Sequence, residues 1–242
     1  MDEMNGYLIA AAAVGGYLLG AISFARLIGR IVAPGEDISK WELTVGEEQR
    51  RFTLELTSAT NVGAKLGTKY GCLTSVLDML KVLIPALVLR LLYPDSPYYL
   101  IAASAGVVGH NWPVYYRFKG GAGLSAALGG LLVVDWLGVL VAPAAGMIIG
   151  LVILRDVFAT ASVWIVLLIP WLWLRTHDIW HVGYAVVISI SFLLASIPTL
   201  KQYYRMKRED PEAHRALLES SHMSRGMLKI SRWLGLEKNG GR

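Results

Sequence analysis

An all-α, polytopic membrane bundle of about seven transmembrane helices is the fold this sequence predicts, and three observations predict it. The chain of 242 residues is 55% hydrophobic and only 17% charged, with a mean hydropathy of +0.49, too apolar for an ordinary soluble domain. Its apolar residues gather into runs near the ~20 residues that a helix needs to cross a hydrocarbon core. The net charge of +5 is carried by Lys and Arg at the ends of those runs and in the tail, a pattern of topology and anionic-lipid contact rather than of a nucleic-acid surface. Cys72 is the only cysteine, which excludes an intrachain disulfide and a Cys-based metal site.

The runs follow in order. Residues 7–32 form the first, polar only at Arg26 and Arg30, with Gly15, Gly16 and Gly20 able to admit a neighbouring helix closely. It has no basic leader and is long enough to span, so it is read as a retained helix, not a signal peptide. Residues 70–92 form the second, interrupted by Asp78 and Lys81, and residues 98–116 the third, reached through the turn Pro94-Asp95-Ser96-Pro97. The next run, 124–154, is too long for one span and divides at Asp135 into 124–134 and 136–154, with Pro143 a candidate kink. Residues 157–174 and 181–200 complete the set, flanked by Trp171, Trp173 and Trp180 at headgroup level.

Lys40, Arg50, Arg51, Lys65, Lys69, Arg117, Lys119, Arg155 and the tail fall on one side of such a bundle; Arg90 and Arg175 fall on the other. The positive-inside rule then puts the N-terminus outside and the loop of residues 33–69, the glycine loop and the C-terminus in the cytoplasm. The expected organisation is a membrane domain over 1–200 and a basic tail over 201–242, whose stretch 216–236 alternates apolar and basic residues as an amphipathic helix on lipid does. No internal repeat supports an inverted-repeat transporter.

Three segments on the cytoplasmic side could carry chemistry. Residues 57–67, including Ser58, Thr60, Asn61 and Lys65, combine hydroxyls, exposed amides and a cation, which suit a phosphate near a helix start. The same residues suit an ordinary N-cap and turn. In Gly109-His110-Asn111-Trp112-Pro113, His110 is an ionisable group in an apolar span, a functional candidate by default. It could act as a general base, anchor a phosphate, or simply bond a neighbouring helix. In Arg117-Phe118-Lys119-Gly120-Gly121-Ala122-Gly123 the glycines allow backbone to fold round an anion, with Arg117 and Lys119 as cations. Asp78 and Lys81, three apart on a helix, share a face and could clamp each other or floor a site.

These segments, in this order, resemble the integral-membrane acyl-phosphate:glycerol-3-phosphate acyltransferases of bacteria. The resemblance spans about residues 20–132 and rests on Gly20-Ala21-Ile22-Ser23-Phe24, Ala59-Thr60-Asn61-Val62 with Leu66-Gly67, Leu77-Asp78-Met79-Leu80-Lys81, and Gly109-His110 with Pro113-Val114 and the glycine loop. It implies a multi-pass protein of the cell (inner) membrane that moves an acyl group from acyl phosphate to the 1-hydroxyl of glycerol 3-phosphate or a related polyol phosphate. Neither metal nor coenzyme A is implied; the partners are the two substrates and membrane lipid, with no nucleic acid. His110 is then the catalytic candidate, and Ser58, Thr60, Asn61, Lys65, Lys119, Gly120, Gly121 and Gly123 the substrate-binding ones. No Gly-x-Ser-x-Gly elbow argues for an acyl-enzyme, so attack by the acceptor hydroxyl is direct.

The departures are specific. The family's Gly-Ser-Gly-Asn stretch corresponds to residues near Thr53-Leu54-Glu55-Leu56, Ser58 stands for a glycine, and the family's arginine falls on Ala64 beside Lys65. The lysine of Gly-Gly-Lys-Gly is Ala122, and the family's His-Arg-Glu-Asn has only an echo in Lys207-Arg208-Glu209-Asp210. Two lost charge-assisted contacts, each worth ~1.5–3 kcal/mol, weaken phosphate binding by orders of magnitude unless Lys65, Arg117, Arg50 or Arg51 replaces them. A silent or substrate-shifted lipid-binding homologue is the alternative, and a transporter a third.

Overall fold

In the computed structural model the described residues are 4–45, 50–54, 57–154 and 156–211, with residues 214, 218 and 226. They build nine α-helices and one small hairpin: α1 Gly6–Gly20, α2 Phe24–Val32, β1 Trp41–Val45, β2 Arg50–Leu54, α3 Ala59–Leu66, α4 Thr68–Leu92, α5 Tyr98–Asn111, α6 Leu124–Val134, α7 Gly138–Ile148, α8 Val157–Thr176 and α9 Ile179–Glu209. Four stretches, Gly6–Val32, Thr68–Leu92, Phe158–Thr176 and Ile179–Glu209, are long and apolar enough to cross a membrane; Leu124–Val134 and Gly138–Ile153 are shorter apolar helices. The expected helical membrane bundle is therefore the fold, with four helices of spanning length among the described residues where about seven were expected.

The first apolar run is not one helix. α1 stops at Gly20, and Ser23 caps α2 by accepting from the Arg26 amide at 3.4 Å. The 33–69 segment, expected as loop, carries structure of its own. Trp41-Glu42-Leu43-Thr44-Val45 alternates apolar and polar residues, the two-residue period of a strand, and pairs antiparallel with β2 in the register Trp41 to Leu54. α3 follows, capped by the Ser58 hydroxyl on the Asn61 amide at 3.2 Å.

Elsewhere the expected boundaries shift by a few residues. The third run ends as helix at Asn111 rather than 116. The division at Asp135 stands: Asp135 ends α6 and accepts from the Leu137 amide at 3.2 Å and from Trp171 Nε1 at 2.7 Å. Pro143 lies inside α7, and the irregularity comes later, as a π-helical turn over Ile149–Ile153. α9 runs on to Glu209, past the apolar limit at 200. The expected amphipathic helix at 216–236 and Arg155 lie outside the described residues.

Packing is built around α5. Gly16 and Gly20 of α1 sit against the backbone of Ala102 and Gly106, and a Cβ at Gly16 would lie 2.5 Å from the Ala102 carbonyl oxygen. Small residues four apart thus let α1 and α5 touch backbone to backbone, a mode suited to lipid, where van der Waals packing drives association. Gly15, by contrast, faces open space. The main core joins α4, α5, α6, α8 and α9 through residues such as Val82, Val107, Leu131, Ile165, Tyr184 and Phe192. A second cluster, Ala25, Ile28, Ile38 and Val62, seats α2 and α3 beside the end of α4.

Candidate functional site

The α1–α2 break decides where polar groups can be buried. A helix end leaves carbonyls without intrahelical donors, and here the Ile22 carbonyl accepts from Lys81 Nζ at 2.6 Å. Lys81 and Asp78 are both buried, at 8% and 3% exposure, near the middle of α4. Lys81 Nζ lies 2.7 Å from Asp78 Oδ1 and 2.9 Å from His110 Nδ1 on α5. Lys81 thus donates to the Ile22 carbonyl and pairs as an ion with Asp78, whose Oδ1 has no hydrogen-bond partner among the described residues. His110 Nδ1 also lies 3.6 Å from Asp78 Oδ1; with a charged Lys81 donating to it, Nδ1 is assigned as the acceptor and the ring proton to Nε2.

The glycine loop closes over Nε2. After α5 the chain makes a 3-10 turn over Val114–Tyr116, then places Arg117 and Phe118 in the left-handed region at φ 53° and 59°, an uncommon conformation for two successive side-chain-bearing residues. The Gly121 amide donates to the His110 carbonyl at 3.3 Å, and the Thr57 amide donates to the Gly120 carbonyl at 3.2 Å. A Cβ at Gly121 would lie 2.5 Å from His110 Nε2 and 2.8 Å from the Thr57 carbonyl oxygen; one at Gly120 would lie 2.6 Å from the Asn111 carbonyl oxygen. Glycine is required at both positions because nothing larger fits between the loop and the end of α5.

The result is a narrow pocket of about 10 Å³ at one end of the bundle, lined by the Ala21–Ser23 break, Thr57, Asp78, Lys81, His110, Gly120 and Gly121 among others. Of the nine residues singled out from the sequence, His110, Gly120 and Gly121 line it; Ser58, Thr60, Asn61, Lys65, Lys119 and Gly123 do not. Ser58 is the N-cap of α3, Asn61 is buried at 2% exposure and Thr60 is exposed. Gly123 begins α6 with φ +85°. Lys65 does not compensate for the missing cations: its Nζ is held by Glu36 Oε2 at 3.3 Å and by the Asp37 carbonyl at 2.8 Å. Hydrogen bonds from the Ser39 hydroxyl and amide hold the Asp37 carboxyl below the usual range, so this corner stays anionic and keeps Lys65 there. The Arg50 and Arg51 side chains lie outside what is described.

The sequence signals for Asp78 and Lys81 were their spacing and their cost inside an apolar run, and they form the floor of the pocket rather than an isolated clamp. Ile22 and Thr57 contribute backbone, which leaves no signal in residue type. Arg26, which does not line the pocket itself, donates from Nη2 to the Lys119 carbonyl at 2.7 Å, with its guanidinium 4.5 Å above the Tyr116 ring. The echo at Lys207 goes elsewhere: Lys207 Nζ bonds Asp156 Oδ2 at 2.5 Å. Among the described residues no His, Cys, Asp or Glu group has metal-site geometry.

Helices of membrane-spanning length around a buried ion pair, roofed by glycines at one end, define an integral membrane protein with a compact polar site at the bundle's end. The chain belongs to the glycerol-3-phosphate acyltransferase family, which its residues 10–208 match. The glycerol-3-phosphate acyltransferase of Aquifex aeolicus is 38% identical over 114 residues, 47% of this chain and 53% of that protein. That of Anaeromyxobacter sp. strain K is 37% identical over 131 residues, 52% of this chain and 58% of that protein. The chain thus matches a little over half the length of these curated relatives. The crystal structure of PlsY, an integral membrane glycerol 3-phosphate acyltransferase, in its glycerol 3-phosphate form superposes with a TM-score of 0.67 at 27% identity, covering 81% of this chain and 92% of that one. Its lysophosphatidic acid form gives 0.65 with the same coverage.

Proposed function

We propose that this protein transfers an acyl group from acyl phosphate to the hydroxyl of glycerol 3-phosphate, giving lysophosphatidic acid and inorganic phosphate. The observation that carries this reading is the pocket itself, where the glycine loop packs on His110 above the Asp78–Lys81 pair, within a chain of the glycerol-3-phosphate acyltransferase family. With Nδ1 engaged by Lys81, His110 offers Nε2–H as a donor, which favours a hydrogen-bond anchor for a substrate oxygen over a general base. The acceptor hydroxyl attacks the acyl carbonyl directly and its proton leaves with the phosphate. Catalysis rests on positioning and on donors aimed at the developing charge. Ser58, Thr60, Asn61, Lys119 and Gly123 belong to this proposal as neighbours of the site, and Lys65 only if its contact with Glu36 opens.

We place the protein in the cell (inner) membrane with the N-terminus outside and the pocket and C-terminal tail in the cytoplasm, because Lys and Arg concentrate on the pocket's side. The acyl chain then lies among the helices while the polar acceptor arrives from water. The diversion of Lys65 favours a second reading, a substrate-shifted homologue. Purified protein in nanodiscs, given acyl phosphate and a panel of phosphorylated and unphosphorylated polyols, decides: formation of lysophosphatidate from glycerol 3-phosphate is expected. Transfer to another acceptor alone selects the shifted homologue, and no transfer to any overturns the enzyme.

A further inference from the structure

We infer that Arg26 is the phosphate anchor of this site, a role resting on the acyl-transfer reading above. A phosphate dianion in a pocket beside lipid needs a cation within hydrogen-bond reach. Among the described side chains, which exclude Arg50 and Arg51, the cations near the pocket divide clearly. Lys81 is held by the Ile22 carbonyl and His110 Nδ1 and neutralised by Asp78 at 2.7 Å. Lys65 is turned away to Glu36 and the Asp37 carbonyl. Arg117 and Lys119 occupy exposed positions on the outer side of the loop, and positions 64 and 122 are alanines. Arg26 follows Ala25, which lines the pocket. Its Nη2 holds the Lys119 carbonyl, one residue before Gly120, which also lines the pocket.

The guanidinium is oriented and underused. The Tyr116 ring supports it from one face at 4.5 Å, while Nη1 is buried and has no hydrogen-bond partner among the described residues. A buried donor left unmade is costly, and an arginine fork presents paired N–H groups in the geometry a phosphate accepts. An acceptor phosphate settling at the loop's mouth gives Nη1 its partner while Nη2 keeps the loop in place. Arg26 sits on a different helix from the alanines at 64 and 122 yet reaches the same glycine loop, so it supplies from α2 the positive charge that those positions lack.

The test separates recognition of phosphate from support of the loop. In nanodiscs with an acyl phosphate donor, kcat/KM is compared for glycerol 3-phosphate and glycerol in the parent, Arg26→Gln and Arg26→Lys. Loss of one charge-assisted contact lowers the preference for the phosphorylated acceptor by about ten- to a hundredfold in Arg26→Gln. Arg26→Lys falls between, keeping the charge without the fork. If both acceptors lose rate together and the preference is unchanged, Arg26 only braces the loop and the proposal fails. Thermal stabilisation by glycerol 3-phosphate is read alongside. Should the parent transfer acyl groups to neither acceptor, the acyl-transfer reading fails separately, and Arg26 stands only if the stabilisation seen in the parent is lost in Arg26→Gln. Stabilisation equal in both, or absent from the parent, overturns it. If Arg26→Gln does not fold, Arg26→Lys is judged by the same criteria.

Discussion

Lys81 is paired with Asp78 and held by the Ile22 carbonyl and His110 Nδ1, and that arrangement explains how three ionisable groups coexist beside lipid. An unpaired charge there is expensive, but Asp78 neutralises Lys81, and His110 enters the network as a neutral acceptor. The glycine loop is held by the same histidine, so a single methyl group placed there disturbs both. Gly121→Ala puts a Cβ where His110 Nε2 and the Thr57 carbonyl already lie, and overpacking of this kind costs ~1–3 kcal/mol. The expected outcome is a lower Tm in nanodiscs together with an acceptor KM raised about tenfold. Gly15→Ala, whose Cβ meets nothing within 4 Å, serves as the contrast and leaves both unchanged. Equal effects in the two variants would remove the loop's claim to tight packing. His110 and the glycines were legible from residue type: an ionisable group in an apolar run, and a cluster of residues without Cβ. The Ile22 and Thr57 carbonyls were not, since any residue carries one, and Arg26 looked like a span boundary because its partner is a backbone atom 93 positions away.

Helix ends in this bundle are fixed by short side chains that also tie elements together. Asp156 accepts from the Phe158 and Ala159 amides at 2.9 and 3.1 Å, capping α8, and its other oxygen binds Lys207 near the end of α9. The cap contributes ~0.5–2 kcal/mol; the pair adds less than ~1, because Lys207 is 42% exposed and solvent screens it. Asp156→Ala should therefore destabilise the bundle by about 1–3 kcal/mol, while Asp156→Asn, which keeps the cap and loses the ion pair, should cost under about 1. Thermal unfolding of both checks this, and an asparagine variant as weak as the alanine one would make the ion pair the dominant tie. Asp135 was readable as a helix end because a carboxylate inside an apolar run needs donors, which the Leu137 amide and Trp171 supply. The α1–α2 break was not, since residues 20–24 are small or apolar apart from one serine, and the reason to stop lies on α4. Hydropathy also ended α9 early: it measures what lipid accepts, whereas helix continues in water, here with Arg205 and Glu209 paired four apart.

The two ends of the molecule differ in how their charge is used, and this bears on its orientation. At the end away from the pocket, Arg175 lies 3.5 Å from the Asp135 carboxylate and Arg90 stacks at 5.4 Å on Tyr99, whose hydroxyl meets His181 and, through it, Asp178. Both cations of the sparse side are thus engaged locally, whereas the pocket side carries Arg117 and Lys119 on exposed positions, available to anionic headgroups at ~1 kcal/mol each. This charge distribution supports the orientation proposed above, with the pocket end in the cytoplasm. Two turns report on this from opposite ends: Ser96, between α4 and α5, and Tyr115, between α5 and α6 and 55% exposed. Cys72 is exposed and is first replaced by serine, so that each introduced cysteine is the only thiol. A membrane-impermeant maleimide should modify Ser96→Cys in intact spheroplasts and reach Tyr115→Cys only after permeabilisation. The opposite pattern would invert the bundle and bring the acceptor to the pocket from outside the cell, where no cytoplasmic polyol phosphate could reach it; labelling of both sites in intact spheroplasts would place the two turns on one side and break the span assigned to α5.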